Sequence, residues 1–234
     1  MKVSIIIRAF NRLEYTIQCI NSVINNSGYK DFEIIVINQG STDGTKEWLD
    51  WITKMPNKWY EKVKPIHLKR NVGDFGGMKI GFTYSSGDIV MQLDNDIYME
   101  TENWLDKMVY VFNKINANIL MANRKGIRQK LPIDINTIKN IQYKKNILTC
   151  AKTSNAVACY LIKREIFDQK YKSAKRCRHI TTDDNCWKLL EVFGNHIEGY
   201  NPETESYIQE EKYNFLFKKQ FLSKKFIFKH GIRR

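Results

Sequence analysis

The stretch Gly87 to Met99 constrains the fold most. Its apolar run Ile89-Val90-Met91-Gln92-Leu93 has the length of a buried strand and ends abruptly in Asp94-Asn95-Asp96. A strand covered on both faces delivers charge to the rim of a sheet in this way. Two carboxylates one residue apart suit a hard divalent cation such as Mg²⁺, which takes one or two carboxylates and fills its other sites with water and substrate phosphates. The same three residues also suit a solvated turn or a helix cap, so on their own they leave both readings open.

The chain before this stretch alternates two periodicities. Val3 to Phe10 is an apolar run of strand length; Asn11 to Asn26 then sets Leu13, Ile17, Ile20, Val23 and Ile24 at helical spacing and stops at Gly28. Phe32 to Ile37 predicts a second buried strand. Asn38 to Gly44 is a turn cluster with N-caps for a helix through Trp48, Leu49 and Ile52. Val63 to Leu68 predicts a third strand, and Arg70 to Gly77 a glycine-rich loop opening a helix through Met78, Ile80, Gly81 and Phe82. Such alternation predicts an α/β fold: a mostly parallel central sheet with helices on both faces and ligands at the carboxyl ends of its strands. Both polar turns and the acid pair fall on that edge.

A chain of 234 residues with 43% hydrophobic content can bury a core of its own. No apolar run approaches the ~18 residues of a membrane span, and Arg8 interrupts the N-terminal run too early for a signal peptide. Five cysteines with no Cys-x-x-Cys pair argue against a disulfide framework or a zinc site and fit a reducing, cytoplasmic setting. Residues 1–117 carry 14 Lys and Arg against 14 Asp and Glu, and residues 118–234 carry 24 against 11, so the whole net charge of +13 lies in the second half. That asymmetry fits a polyanionic partner, an anionic membrane surface or nucleic acid, and equally fits solubility alone.

Four motifs occur in order over about 100 residues. They are Ser4 to Arg12, Glu33 to Thr45, Asn71-x-Gly73-x-x-Gly76-Gly77 and Leu93-Asp94-Asn95-Asp96. Together they resemble the family 2 glycosyltransferases of the GT-A fold. The resemblance implies one continuous domain with a Rossmann-like nucleotide-sugar-binding half (1–117) and an acceptor half (118–234). It also implies Mn²⁺ or Mg²⁺ on Asp96 and Asp94, and inverting transfer to an acceptor hydroxyl. Donor contacts are expected from Ala9, Asn11, Asn38, Arg70, Gly76, Asp94 and Asn95. Arg70 reads equally as a surface charge. Where family members commonly carry two acids this chain has Asn38-Gln39, which changes the donors and acceptors offered to a nucleotide base.

In the second half, Trp104, Leu105, Met108, Val109 and Phe112 form a core stripe on a helix, and Ile119 to Ala122 a strand. Residues 124–146 read as an irregular acceptor-side connection. Asn155 to Ile162 reads as a strand, and Lys170 to Arg178 as a basic loop suited to a phosphate-bearing acceptor or to solvent. Inverting displacement needs a carboxylate to deprotonate the acceptor hydroxyl. Thr182-Asp183-Asp184 resembles the family's element ending in that base, which selects Asp184 with Asp183 second. Alternatively, Thr181 or Thr182 caps a following helix whose dipole both acids complement. His67 reads as structural, while His196 and His230 are candidates for an extra metal ligand. The tail, Tyr207 to Arg234, interleaves aromatics with lysines. It suits packing on the domain, peripheral contact with the inner face of a membrane near a glycan or lipid-linked acceptor, or single-stranded nucleic acid. A non-catalytic anion- or nucleic-acid-binding protein on the same fold is the rival reading; the joint presence of Asp94, Asp96 and Asp184 favours the enzyme.

Overall fold

The computed structural model describes residues 1–56, 58, 60–123, 133–154, 156, 158–173 and 183–196, without the side chains of 171–173 and 196. The elements are β1 (Val3–Ala9), α1 (Leu13–Asn26), β2 (Phe32–Asn38), α2 (Thr45–Ile52), β3 (Val63–His67), α3 (Gly73–Tyr84), β4 (Ile89–Asp94) and β5 (Ile97–Met99). They continue as α4 (Trp104–Lys114), β6 (Ile119–Asn123), β7 (Ile133–Tyr143), β8 (Asn146–Thr153), β9 (Cys159–Lys163), α5 (Arg164–Ser173) and β10 (Cys186–His196).

The strands form one sheet in the order β3-β2-β1-β4-β9-β6-β10-β8-β7, with β5 paired to β10 off this path. β3, β2, β1 and β4 are mutually parallel, β6 and β10 point the same way, and β9 and β8 run against their neighbours. The sheet is therefore mostly but not entirely parallel. β9 lies between β4 and β6, so the sheet continues without a break from the first half of the chain into the second.

Period-2 alternation divides the central strands between two faces. Ile5, Ile7 and Ala9 of β1 and Met91 and Leu93 of β4 join the cluster under α1, α2 and α4, where Trp104 and Phe112 are buried. Ile6, Ile35, Ile37 and Val90 face the other way, against Met78 of α3 and Phe167 of α5. Helices therefore cover both faces. α3 lies very close to the sheet, because a Cβ on Gly81 would sit 2.3 Å from Cγ2 of Ile6.

Two expectations are corrected here. Residues 133–146, within the stretch expected to be irregular, form most of the β7–β8 hairpin. Its two-residue turn is Lys144-Lys145, with Lys144 at φ 52, a connection that carries neither Gly nor Asn as a signal. Lys139 and Lys152 lie over the Trp187 ring at 4.8 and 5.9 Å, so charged residues occupy positions that alternation would assign to apolar ones. The second correction is that Asp183 to Asn185 lead into the strand β10 and not into a helix. Residues 124–132, Thr181, Thr182, His179, His230 and the tail 207–234 lie outside the described residues, and of His196 only the backbone is described.

Candidate functional site

Parallel strands place all their carboxyl ends on one edge. Ala9, Asn38, His67 and Asp94 therefore end β1 to β4 side by side. The turn after β1 is held by Asn11 and Arg12, both left-handed at φ 55 and 59. Left-handed backbone in non-glycine residues persists only where its surroundings hold it. Here the Asn11 amide donates to Ser41 Oγ at 2.8 Å and Thr42 N donates to Asn11 Oδ1 at 2.9 Å. Buried Asp43 accepts from Leu13 N at 2.8 Å and from Thr45 N at 3.1 Å, so one carboxylate ties the starts of α1 and α2 together.

Asn38 is buried beneath this edge. Its Oδ1 accepts from Ser41 N at 3.1 Å and its Nδ2 lies 3.1 Å from His67 Nδ1, while His67 Nε2 lies 2.9 Å from Asp50. With Nε2–H donating to the Asp50 carboxylate, Nδ1 accepts from the Asn38 amide, and this assigns the tautomer. Gln39, also buried, accepts from Val72 N at 3.1 Å, and its own N–H donates to the Ala9 carbonyl at 2.8 Å. Asn38-Gln39 thus pins the loops together from below. Arg70 is exposed in the loop after β3, where a Cβ on Gly40 would sit 3.0 Å from its Cα. Gly76 lies within the first turns of α3.

The acid pair is the charged centre of the rim. Asp94 ends β4, and its cross-strand partner on β1 is Arg8. Arg8 Nη2 meets Asp94 Oδ1 at 2.5 Å and Nη1 meets Asp74 Oδ1, in the first turn of α3, at 3.1 Å. The methylene stem of Arg8 passes over Gly77, where a Cβ would lie 3.2 Å from Arg8 Cγ. On the same face, Tyr160 OH donates to Gln92 Oε1 at 2.8 Å and Gln92 Nε2 donates to Asp94 Oδ1 at 3.4 Å. Asp96 is buried, with Oδ2 3.5 Å from Arg12 Nη1. Burial pushes the Asp94 carboxyl above its ordinary range; Arg8 opposes that, and Asp96 and Asp74 reinforce it. Arg8, Arg12, Gln92, Tyr160 and Asp74 were not singled out from the sequence as site residues. Alternation along β1 and β4, which puts Arg8 and Gln92 on the face of Asp94, is the signal that finds those two; Arg12, Asp74 and Tyr160 come from outside those strands.

The donor set fits a divalent cation that also binds phosphate. Asp94 and Asp96 supply hard oxygens only, and no group of three or more His, Cys, Asp and Glu is assembled among the described residues. A site of two carboxylates leaves most positions on Mg²⁺ or Mn²⁺ to water and a ligand's oxygens.

Three expected residues do not join this rim. Asn95 Nδ2 donates to Thr16 Oγ1 of α1 at 3.0 Å, so its side chain turns into the core. Asp183 and Asp184 precede β10, whose first residue Cys186 pairs with Ile119, itself opposite Ile162 of β9. Since Leu93 pairs with Cys159 and Ile89 with Lys163, this is the edge where β4 begins. At ~3.3 Å per residue the length of β4 separates the two acids from Asp94. Asp183 is held there by Lys170 Nζ at 2.8 Å, Asn185 N at 2.8 Å and Asn118 Nδ2 at 3.1 Å. Burial alone would raise its carboxyl, yet these partners bring it below its ordinary range. The structure does not bring Asp184 to the acid pair.

Sheet order, covering helices and acid rim define a protein of the GT-A fold class, and solved structures agree. The chain is similar to residues 1–349 of S. aureus TarS in complex with UDP-GlcNAc (TM-score 0.64, 15% identity, 95% of this chain and 67% of that one). It is likewise similar to GalNAc-T7 with UDP, GalNAc and Mn²⁺ (TM-score 0.64, 16% identity, 86% and 45%). The chain belongs to glycosyl transferase family 2, whose model matches residues 4–170. An uncharacterized glycosyltransferase of Nostoc sp. is 35% identical over 112 residues, a match spanning 48% of this chain and 33% of that relative.

Proposed function

We propose that the chain transfers a sugar from a nucleotide-diphosphate donor to an acceptor hydroxyl, with inversion at the anomeric carbon. The observation that carries this is the placement of Asp94 and Asp96 at the carboxyl edge of parallel strands, where α/β folds bind ligands. Family membership supports the reaction class. The UDP-GlcNAc and the UDP with Mn²⁺ in the two solved neighbours support the donor class and a divalent cation.

Asp94 and Asp96 would hold Mn²⁺ or Mg²⁺, which when bound neutralises the charge that builds on the leaving diphosphate. The bond from the anomeric carbon to the diphosphate oxygen breaks as the acceptor oxygen bonds to the opposite face, and the acceptor's proton passes to a base. Asp184 supplies that base only if it reaches the acid rim, which its place in the fold does not provide. The loops around Ala9, Asn11, Gly40 and Arg70 would border the nucleoside. Asn38 acts from beneath, by fixing those loops. Among the described residues no helix is long and apolar enough to cross a membrane, and a glycan or lipid-linked acceptor remains the proposed partner class.

Thermal unfolding with a panel of nucleoside diphosphates and nucleotide sugars, each with and without Mn²⁺, tests the proposal. A ligand that binds only the folded chain raises its midpoint by mass action. A Mn²⁺-dependent rise with one nucleotide is expected in the natural chain and absent in Asp96→Ala. No rise with any nucleotide would remove the donor site.

A further inference from the structure

The guanidinium of Arg8 lies between Asp94 of the acid pair and Asp74 at the start of α3. It is 9% exposed, always charged, and brought within ion-pair distance of Asp94 by the parallel register of β1 and β4. Space is cleared for the methylene stem that carries it by Gly77, on which a Cβ would press against Arg8 Cγ at 3.2 Å and Cδ at 3.3 Å. Its other partner, Asp74, is 82% exposed, so the guanidinium reaches from the acid pair to the mouth of the rim at the start of α3. Helix starts are themselves favourable to anions.

Charge sharpens the point. Asp94, Asp96 and Asp74 oppose Arg8 and Arg12, which leaves this cluster with one net negative charge. A divalent cation would turn that to one net positive charge, facing the donor's diphosphate. A divalent cation on the Asp94 carboxylate would repel the Arg8 guanidinium beside it, so the two compete for that acid. A guanidinium released from a carboxylate presents the planar fork of donors that suits phosphate oxygens.

We infer that Arg8 is a donor-site residue: it holds Asp94 until a divalent cation takes that carboxylate, and its guanidinium then serves the donor's diphosphate. This rests on the proposed donor site, and two consequences of opposite sign follow. Removing Arg8 takes away a competitor for Asp94, so the cation alone binds more tightly. It also takes away a phosphate partner, so the nucleotide binds more weakly once the cation is saturating.

The test is Mn²⁺ binding to the purified chain, read from the paramagnetic resonance signal of free Mn²⁺, together with calorimetric binding of UDP and GDP at saturating Mn²⁺. Arg8→Met is expected to bind Mn²⁺ alone about tenfold more tightly and the preferred nucleoside diphosphate about tenfold more weakly, with Arg8→Lys between it and the natural chain. Should Arg8→Met fail to fold, Asp74→Asn on the exposed helix start decides: it removes the exposed carboxylate that shares Arg8 with Asp94, and Mn²⁺ should bind a few-fold more weakly. If the natural chain binds Mn²⁺ and these variants bind it equally well, the Arg8 inference is overturned while the donor site stands. If neither the natural chain nor any variant binds Mn²⁺, the metal reading is overturned and the Arg8 inference with it.

Discussion

The two edges of the central sheet both carry buried carboxylates, and they treat them in opposite ways. Where β4 begins, Glu33 accepts from Ser4 Oγ at 2.7 Å, Ser86 N at 2.8 Å and Lys64 Nζ at 2.7 Å, with Lys2 Nζ at 3.3 Å. Burial works to raise its carboxyl, and these partners overcome it and bring it far below its ordinary range. Asp183, on the same edge, is lowered likewise. Where β4 ends, Asp94 has Arg8 beside it and is still pushed up by burial and by neighbouring acids. One edge spends its charged groups on stability, and the other keeps acids crowded where a cation and a ligand would relieve them.

Substitutions at the two edges should therefore separate binding from stability. The largest effect is expected at the acid rim. Asp96→Ala should lower sugar transfer by ~10² or more while the chain stays folded, because a cation at a developing charge contributes several kcal/mol. Transfer within a few-fold of the natural chain would take Asp96 out of the site. Next comes Glu33→Gln, expected to lower stability by about 1.5–3 kcal/mol, since the buried acceptor of Ser4 Oγ and Ser86 N loses its charge while half-exposed Lys64 returns to solvent. Nucleotide binding should not change.

Glu33 also fixes the sign of an acid dependence. A carboxylate with a lowered folded value stabilises fully above its unfolded value, here 4.5, and loses that contribution as pH falls below it. Denaturant midpoints measured from pH 7 downward should fall less steeply for Glu33→Gln than for the natural chain. Equal slopes would mean that Glu33 titrates alike in both states.

Gly81→Ala should cost about 1–3 kcal/mol, because a Cβ 2.3 Å from Ile6 Cγ2 must push α3 off the sheet. The melting midpoint checks it. The smallest effect is expected at Asp184, which lies away from the acid rim. Asp184→Asn should change transfer by less than about twofold, since a group that touches no reacting atom contributes nothing as a general base. A fall of ~10² would place Asp184 at the acceptor in the working enzyme and contradict the edge on which β10 begins.

The same contrast shows what was legible in the amino-acid order. β1 to β4, α1 to α4 and the acid rim were readable because each is a local pattern: apolar runs of strand length, helical spacing and polar turns in sequence. The β7–β8 hairpin was hidden by its Lys144-Lys145 turn and by lysines lying over Trp187. The edge on which Asp183 and Asp184 fall was unreadable for a different reason. It depends on β10 pairing in parallel with β6, a long-range choice that no local pattern encodes. Asn95 shows the limit within a motif: side chains one residue apart point to opposite sides, and this one meets Thr16 of α1.

The most direct measurement is anomalous diffraction from a crystal of the chain grown with Mn²⁺ and the nucleoside diphosphate that stabilises it. A single strong peak is expected within ligand distance of the Asp94 and Asp96 carboxylates, next to diphosphate density at the edge where β1 to β4 end. A peak beside Asp183 and Asp184, or nucleotide bound away from Asp94 and Asp96, would contradict that placement.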